Sequence, residues 1–219
     1  MRWRWRGALE GLFVSVPSVG LQLGLGWPAF AAFDPHAFGI LGTVVAVFVL
    51  TEAASDPVST HLNQGEDQKG AALIRLGYLL GTALGAYDLG RHHLGPAMPE
   101  VLRWVGLGIF GAGWLVRVAC FAVNDYFANV VVVQKERNHA VVDRGPYRVV
   151  RHPAYAGLAA SLPALALAFG AWTALVPLLF SALFVIRRTA IEDRYLLREL
   201  DGYSSYAQRV RYRLLPGIY

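Results

Sequence analysis

An all-α, polytopic integral membrane protein of about five to six transmembrane segments, closed by a cytosolic helical region at its C-terminal end, is the fold class this sequence predicts. Three observations lead there. Of its 219 residues 55% are hydrophobic and 16% charged, against about 45–50% and about 25% in ordinary soluble domains. Residues 154–186 form a run of thirty-three without a formal charge. The segment before it, 135–151, carries five arginines or lysines and two acids, so polar chemistry gathers at the edge of an apolar layer. The formal net charge of +5 comes from arginines flanking apolar runs, not from a basic face of a soluble domain, and nucleic acid is not an expected partner.

The apolar runs follow in order. Arg2, Arg4 and Arg6 precede a first run at 11–33, which is long for a cleaved signal and is interrupted by Pro17, Gly20, Gly24, Gly26 and Pro28; it reads as a retained span. A second run covers 38–54, and a polar connection through Asp56, His61, Glu66, Asp67 and Lys69 follows. The third run, 71–87, has Arg75 close enough to its start to snorkel, and the fourth, 101–123, has Arg103 and Arg117 near its ends. Each is close to the roughly 20 residues that a helix needs to cross a bilayer. Cys120, the single cysteine, lies inside the fourth run, permits no intrachain disulfide and reads as packing. The chain therefore divides into an N-terminal transmembrane region, 1–123, and a C-terminal core, 124–219.

The uncharged run 154–186 is longer than one helix requires. Pro163, Gly170 and Pro177 divide it, and a hairpin of two short arms is expected, with one tilted helix as the alternative. The positive-inside rule places the N-terminal arginines, the basic 124–151 segment and the arginines from Arg187 to Arg213 on the cytosolic side, with both termini cytosolic. A bacterial or archaeal cytoplasmic membrane is the expected location.

Two polar strips then converge on one face. One contains Arg148, Arg151, His152 and Tyr155, where Pro153 favours a turn at His152. The other is a last cytosolic helix on which Arg188, Glu192, Tyr195 and Glu199 share a face by three- and four-residue spacing, with Tyr203, Tyr206, Val210 and Arg213 extending a related face. Between them they enclose room for a polar ligand. Arg187, Arg194 and Arg198 read as topology determinants, and Tyr212 and Tyr219 as interfacial anchors. His61, His92 and His93 lack partners at metal-ligand spacing, so no metal is expected. Gly106, Gly108, Gly111 and Gly113 read as close helix packing.

The segment from Gln134-Lys135-Glu136-Arg137-Asn138-His139 through Asp143-Arg144-Gly145-Pro146-Tyr147, continuing to Arg151-His152-Pro153-Ala154-Tyr155-Ala156-Gly157, resembles the signature of the isoprenylcysteine carboxyl methyltransferase family. Glu192-Asp193, Tyr203-Ser204-Ser205-Tyr206 and Arg209-Val210, ending in Arg213-Leu214-Leu215-Pro216, resemble its second half. The similarity is strongest over 124–216, and the amino-terminal spans match in general layout only. Asp193 stands where the family has a second glutamate, and Asp201-Gly202 where it has phenylalanine-glycine.

The resemblance implies a membrane methyltransferase using S-adenosylmethionine, with its cofactor site built at the cytosolic ends of the last spans. Gln134, His139, Tyr147, His152, Tyr155 and Gly157 match cofactor-side positions, and Glu192 the first acid of a paired-carboxylate motif, suited to the cofactor's amine or a polar network. Arg151 and Arg209 match positions suited to orient an acceptor carboxylate through guanidinium forks. Arg151, Arg209 and Glu192 are thus the expected catalytic set. A carboxylate needs no general base, and an acceptor with an apolar tail can stay in lipid while its polar end reaches the site. A phospholipid amine or a small thiol fits the same cofactor geometry, and a noncatalytic lipid-binding protein is the remaining alternative. Expected partners are thus a lipophilic or small-molecule acceptor and membrane lipids.

Overall fold

A computed structural model of the chain describes residues 67–90, 94–127 and 131–219. The expected spans at 11–33 and 38–54, and His61, His92 and His93, lie outside the described residues. Those described are all-helical, with no strand among them. Five helices follow in order: α1 (Gln68–Gly90), α2 (Glu100–Val123), α3 (Pro153–Phe169), α4 (Trp172–Glu199) and the short α5 (Tyr203–Arg209). Two 3-10 turns, Lys135–Arg137 and Gly145–Arg148, lie between α2 and α3.

Local chemistry sets the breaks. Pro153 begins α3, where a missing N–H and a fixed φ cost nothing. Gly170 ends it in the left-handed region, at φ 71°, with its N–H returned to Ala166 O and Leu167 O, and α4 starts two residues later. The uncharged run is therefore a hairpin that turns at Gly170. Pro163 and Pro177 do not divide it; they lie inside α3 and α4, as prolines can in membrane helices. The second arm does not stop at Ile186 either. It runs on unbroken to Glu199, so the expected separate cytosolic helix is the extension of the hairpin arm. Gly202, at φ 80°, then turns the chain into α5.

The helices approach one another through small residues, as expected where lipid gives no hydrophobic drive between helices. A side chain at Gly113 would collide with Ser161 and the Gly157 carbonyl, and one at Gly157 with the Gly113 carbonyl, which locks α2 to α3. Ser161 Oγ donates to Phe110 O at 3.1 Å across the same seam. On α1, Gly77, Gly81 and Gly85 make room for Ser181, Leu178 and Phe169, and Ser181 Oγ donates to Ile74 O at 3.0 Å. Gly106 packs likewise against the Ala164–Ala168 stretch, whereas Gly108 and Gly111 face open space. One core joins Ala86 and Phe110 to Leu165, Leu178 and Val185.

The outward faces are apolar: Leu115, Val176 and Leu183 are 71%, 73% and 64% exposed. By length and composition α2 and α4 can each cross a membrane, and the apolar α3 is shorter, at 17 residues.

Candidate active site

The C-terminal end of α2, the loop after it, the start of α3 and the charged end of α4 meet on one side of the bundle. The loop is held by its own polar side chains. Gln134 is buried; its Nε2 donates to Tyr126 O at 2.9 Å, its Oε1 receives Arg137 Nη1 at 2.6 Å, and its N–H donates to His139 Nδ1 at 3.3 Å. The His139 ring in turn stacks on Tyr126, with centroids 4.3 Å apart. Burial, and the nearby Arg137 charge after it, lower the His139 pKa from its usual 6.5. A neutral ring is what Nδ1 requires in order to accept the Gln134 hydrogen.

At the base of the site stands Asp193, which has no solvent exposure. Its Oδ1 receives Arg151 Nε at 2.8 Å, Tyr203 Oη at 2.9 Å and His152 Nε2 at 3.1 Å. Oδ2 receives Arg213 Nε at 2.8 Å and Arg151 Nη2 at 3.0 Å. An ionised carboxylate only accepts, so Nε2 of His152 carries the hydrogen and Nδ1 is turned towards Glu192 Oε1, 3.9 Å away. Arg151 Nη1 donates to Val210 O and Arg211 O at 3.0 and 2.8 Å. The backbone is fastened alongside: Arg151 N–H meets Tyr212 O and His152 N–H meets Arg213 O, each at 2.9 Å. Asp193 thereby ties the α3 entry, α4, α5 and the C-terminal tail together. Burial, reinforced by Asp193, raises the Tyr203 pKa, so its hydroxyl stays a donor.

Above this base lies an open cavity. Its walls include Tyr126, Phe127, His139, Tyr147, Tyr155 and Glu192, with Val141, Val142, Leu196 and Leu200 supplying apolar surface. Counted to its open mouth, with the open solvent there included, the space is about 760 Å³. Among the described residues its wall carries one carboxylate, Glu192, whose Oε2 receives Tyr155 Oη at 2.7 Å. Arg188 Nε donates to that same Tyr155 oxygen at 3.0 Å. Tyr147 Oη accepts from Asn124 Nδ2 at 3.0 Å and its carbonyl accepts from Tyr206 Oη at 2.8 Å.

The residues singled out from sequence are thus sorted by geometry. His139, Tyr147, His152, Tyr155, Glu192 and Arg151 border the cavity. Gln134 does not; it shapes the loop behind the wall. Gly157 lies in the α2–α3 seam, where closeness to Gly113 explains it better than a ligand does. The expectation that Arg151 and Arg209 together face an acceptor anion is not met. Four Arg151 hydrogens are taken by Asp193 and two carbonyls, and Arg209, at the exposed end of α5, pairs with Asp143 at 3.0 Å outside the cavity.

Asp193 is the residue whose weight the sequence concealed. It stands beside Glu192 and looks like a spare acid. The available signal was helical phase: Ser181, Val185, Thr189 and Asp193 follow at four-residue steps on the buried face of α4. Asn124, Tyr126 and Phe127 were also missed, because an irregular loop has no periodicity to place them.

Comparison with known proteins adds one match. Residues 104–198 fit the family described as the isoprenylcysteine carboxyl methyltransferase (ICMT) family, from the second turn of α2 almost to the end of α4, so the match includes Glu192 and Asp193 and stops before α5. No curated protein matches the chain. Over residues 104–198, which supply most of the cavity wall, the chain is similar to the isoprenylcysteine carboxyl methyltransferase family, a family of membrane methyltransferases.

Proposed function

We propose that the cavity binds S-adenosylmethionine and that methyl transfer takes place at its membrane-facing side, to the carboxylate of an acceptor with an apolar tail. The observation that carries this reading is the pairing of charges around the cavity. Glu192 is a wall carboxylate held by a tyrosine rather than neutralised by a direct guanidinium contact, whereas Arg151, the one wall arginine among the described residues, is already compensated by Asp193. Such a wall favours a ligand with a cationic end, and the Tyr126–His139 stack with its apolar neighbours suits a flat heterocycle.

In this reading Glu192 holds the cofactor's ammonium, Tyr155 orients Glu192, and Arg188 fixes the Tyr155 hydroxyl from behind. Tyr147, buttressed by Asn124 and Tyr206, shapes the opposite wall. When bound, the cofactor supplies a methyl carbon on a sulfonium: the acceptor's lone pair forms the new bond while the carbon–sulfur pair leaves with sulfur. A carboxylate acceptor releases no proton in doing so, and the site needs no base. Closeness and alignment supply the rate. In this reading the cavity mouth and both termini face the cytosol, and the expected five to six spans carry the site at the membrane.

A second reading is supported by the position of Arg209. With that side chain outside the cavity and Arg151 committed, no uncommitted guanidinium lies on the cavity wall among the described residues, which favours a neutral acceptor, a phospholipid amine or a small thiol. Product analysis separates the two. Purified protein in neutral detergent is given methyl-labelled S-adenosylmethionine with a prenylated cysteine, phosphatidylethanolamine or an alkanethiol. A base-labile methyl ester is the expected product. An N-methyl or S-methyl product alone would replace the carboxylate reading, and absence of labelled cofactor binding to folded protein would remove both.

A further inference from the structure

Arg117 lies on α2 with 6% of its surface exposed, six residues inside the helix end at Val123, which is about 9 Å of helix. Its neighbours do not satisfy it. Nη1 donates one long hydrogen bond, 3.4 Å, to Ala154 O. Nε has no partner, and no ion pair reaches the group among the described residues. The rings of Trp114, Phe121 and Phe127 stand 4.9, 5.3 and 5.8 Å from the guanidinium carbon. Aromatic faces attract a cation, but they return less than the water it has lost. Arg151 and Arg188, equally buried, each have a carboxylate in reach.

The position matters as much as the missing partner. Phe127 and Ala154, two of the groups that touch Arg117, are also wall residues of the cavity. The guanidinium therefore stands one layer behind the wall, on the side where the apolar helices begin. A charged group at that depth, enclosed by aromatic and apolar side chains, is matched by an anion that arrives on a hydrocarbon chain rather than from water.

We propose that Arg117 is the anion-holding residue of the acceptor site: its free guanidinium edge takes the oxyanion at the head of a lipid-embedded acceptor, a carboxylate in the reading above, with Phe127 as the side chain that yields to admit it. This rests on the methyl-transfer reading and gives it the counter-charge that Arg151 and Arg209 do not offer. Arg117 is a positioning residue for the acceptor, and it has no part in holding the cofactor.

The test uses the full chain in neutral detergent. Binding is measured for N-acetyl-S-farnesylcysteine, for its uncharged primary amide and for dioleoylphosphatidylethanolamine, whose phosphate is the other tailed oxyanion. Wild type is expected to prefer the carboxylate to the amide by roughly tenfold or more. Arg117→Met should bring that ratio to about one, Arg117→Lys should keep part of it, and affinity for labelled S-adenosylmethionine should change less than about twofold. A preference that survives in Arg117→Met overturns the proposal, as does a loss that falls on the cofactor instead. Dependence on Arg117 seen with the phosphatidylethanolamine and not with the carboxylate overturns the carboxylate assignment. Thermal unfolding without ligand supplies the control: removing an unpaired buried charge should leave Tm unchanged or higher, and a large fall would mark Arg117 as a structural cation and overturn the proposal. If the protein binds no S-adenosylmethionine while the carboxylate preference still depends on Arg117, the anion site stands and the methyl-transfer reading fails.

Discussion

Arg151 and Asp193 meet fork to fork, Nε on Oδ1 at 2.8 Å and Nη2 on Oδ2 at 3.0 Å, at a depth where Asp193 has no solvent contact. Forty-two residues separate them in sequence, and the pair fastens the entry of α3 to the charged end of α4 directly beneath the cavity. A buried pair of this kind is not a large source of net stability, but losing one partner leaves the other charge stranded.

Asp193→Asn is expected to lower stability by about 3–5 kcal/mol, because Arg151 and Arg213 lose their shared countercharge together. Asp193→Glu keeps the charge but adds a methylene in a filled space and should lie between the two. Chemical or thermal unfolding in detergent, followed by tryptophan fluorescence, measures both.

The two arginines that the sequence reading paired should behave differently. Arg151→Lys replaces a fork that serves Asp193 and two carbonyls with a single ammonium, and should cost about 2–4 kcal/mol. Arg209→Lys alters an exposed pair with Asp143, both side chains more than half exposed, and should stay within about 0.5 kcal/mol. Side-by-side unfolding curves decide this, and equal effects would contradict the placement of Arg209 outside the cavity.

Glu192→Gln removes the wall carboxylate while keeping an acceptor for Tyr155. Affinity for S-adenosylmethionine should fall by roughly tenfold or more, the scale of a lost charge-assisted contact, with little change in Tm. Tyr155→Phe should show a smaller fall, since it only loosens Glu192. Titration calorimetry on the purified protein measures both.

Gly157→Ala should destabilise by about 1–3 kcal/mol, since the added methyl group meets the Gly113 carbonyl and backbone cannot step aside. Cofactor affinity of the protein that remains folded should be unchanged. A variant of normal stability with weakened cofactor binding would return Gly157 to the ligand site.

The lowered pKa of His139 makes a pH prediction with a definite sign. A group whose folded pKa lies below its unfolded value contributes stability that is present above the unfolded pKa, here near 6.5, and is lost as pH falls through the folded pKa. Tm should therefore decline on acidification below about pH 6.5, more steeply in wild type than in His139→Asn, which keeps a polar acceptor without the titration. Parallel melting curves between neutral and mildly acidic pH test this; identical slopes would contradict it.

Much of the architecture was legible because it is written locally. The runs at 71–87 and 101–123 announce α1 and α2, and Gly170 announces the hairpin turn, since few residues other than glycine take its positive φ at low cost. Where the reading went astray, several local signals competed. Pro163 and Pro177 look like breaks, but neighbouring helices accommodate them. The charges after Ile186 suggest a new helix, yet α4 simply leaves the apolar layer and continues, because nothing between Arg187 and Glu199 interrupts helical hydrogen bonding.

By itself the sequence determined the helical membrane class, the order of the described helices and the segment, 134–157 with Glu192, that supplies about half of the cavity wall. Each of these follows from hydropathy, helix punctuation or residue type, which act over a few residues at a time. Only the tertiary structure decided which charges are spent and which are free. It buried Asp193 between Arg151 and Arg213, sent Arg209 outward to Asp143, gave Gly157 to the α2 seam and left Arg117 beside the cavity with no counter-ion among the described residues. Pairing between residues tens of positions apart depends on how α2, α3 and α4 stack, and no local pattern in the chain encodes that distance.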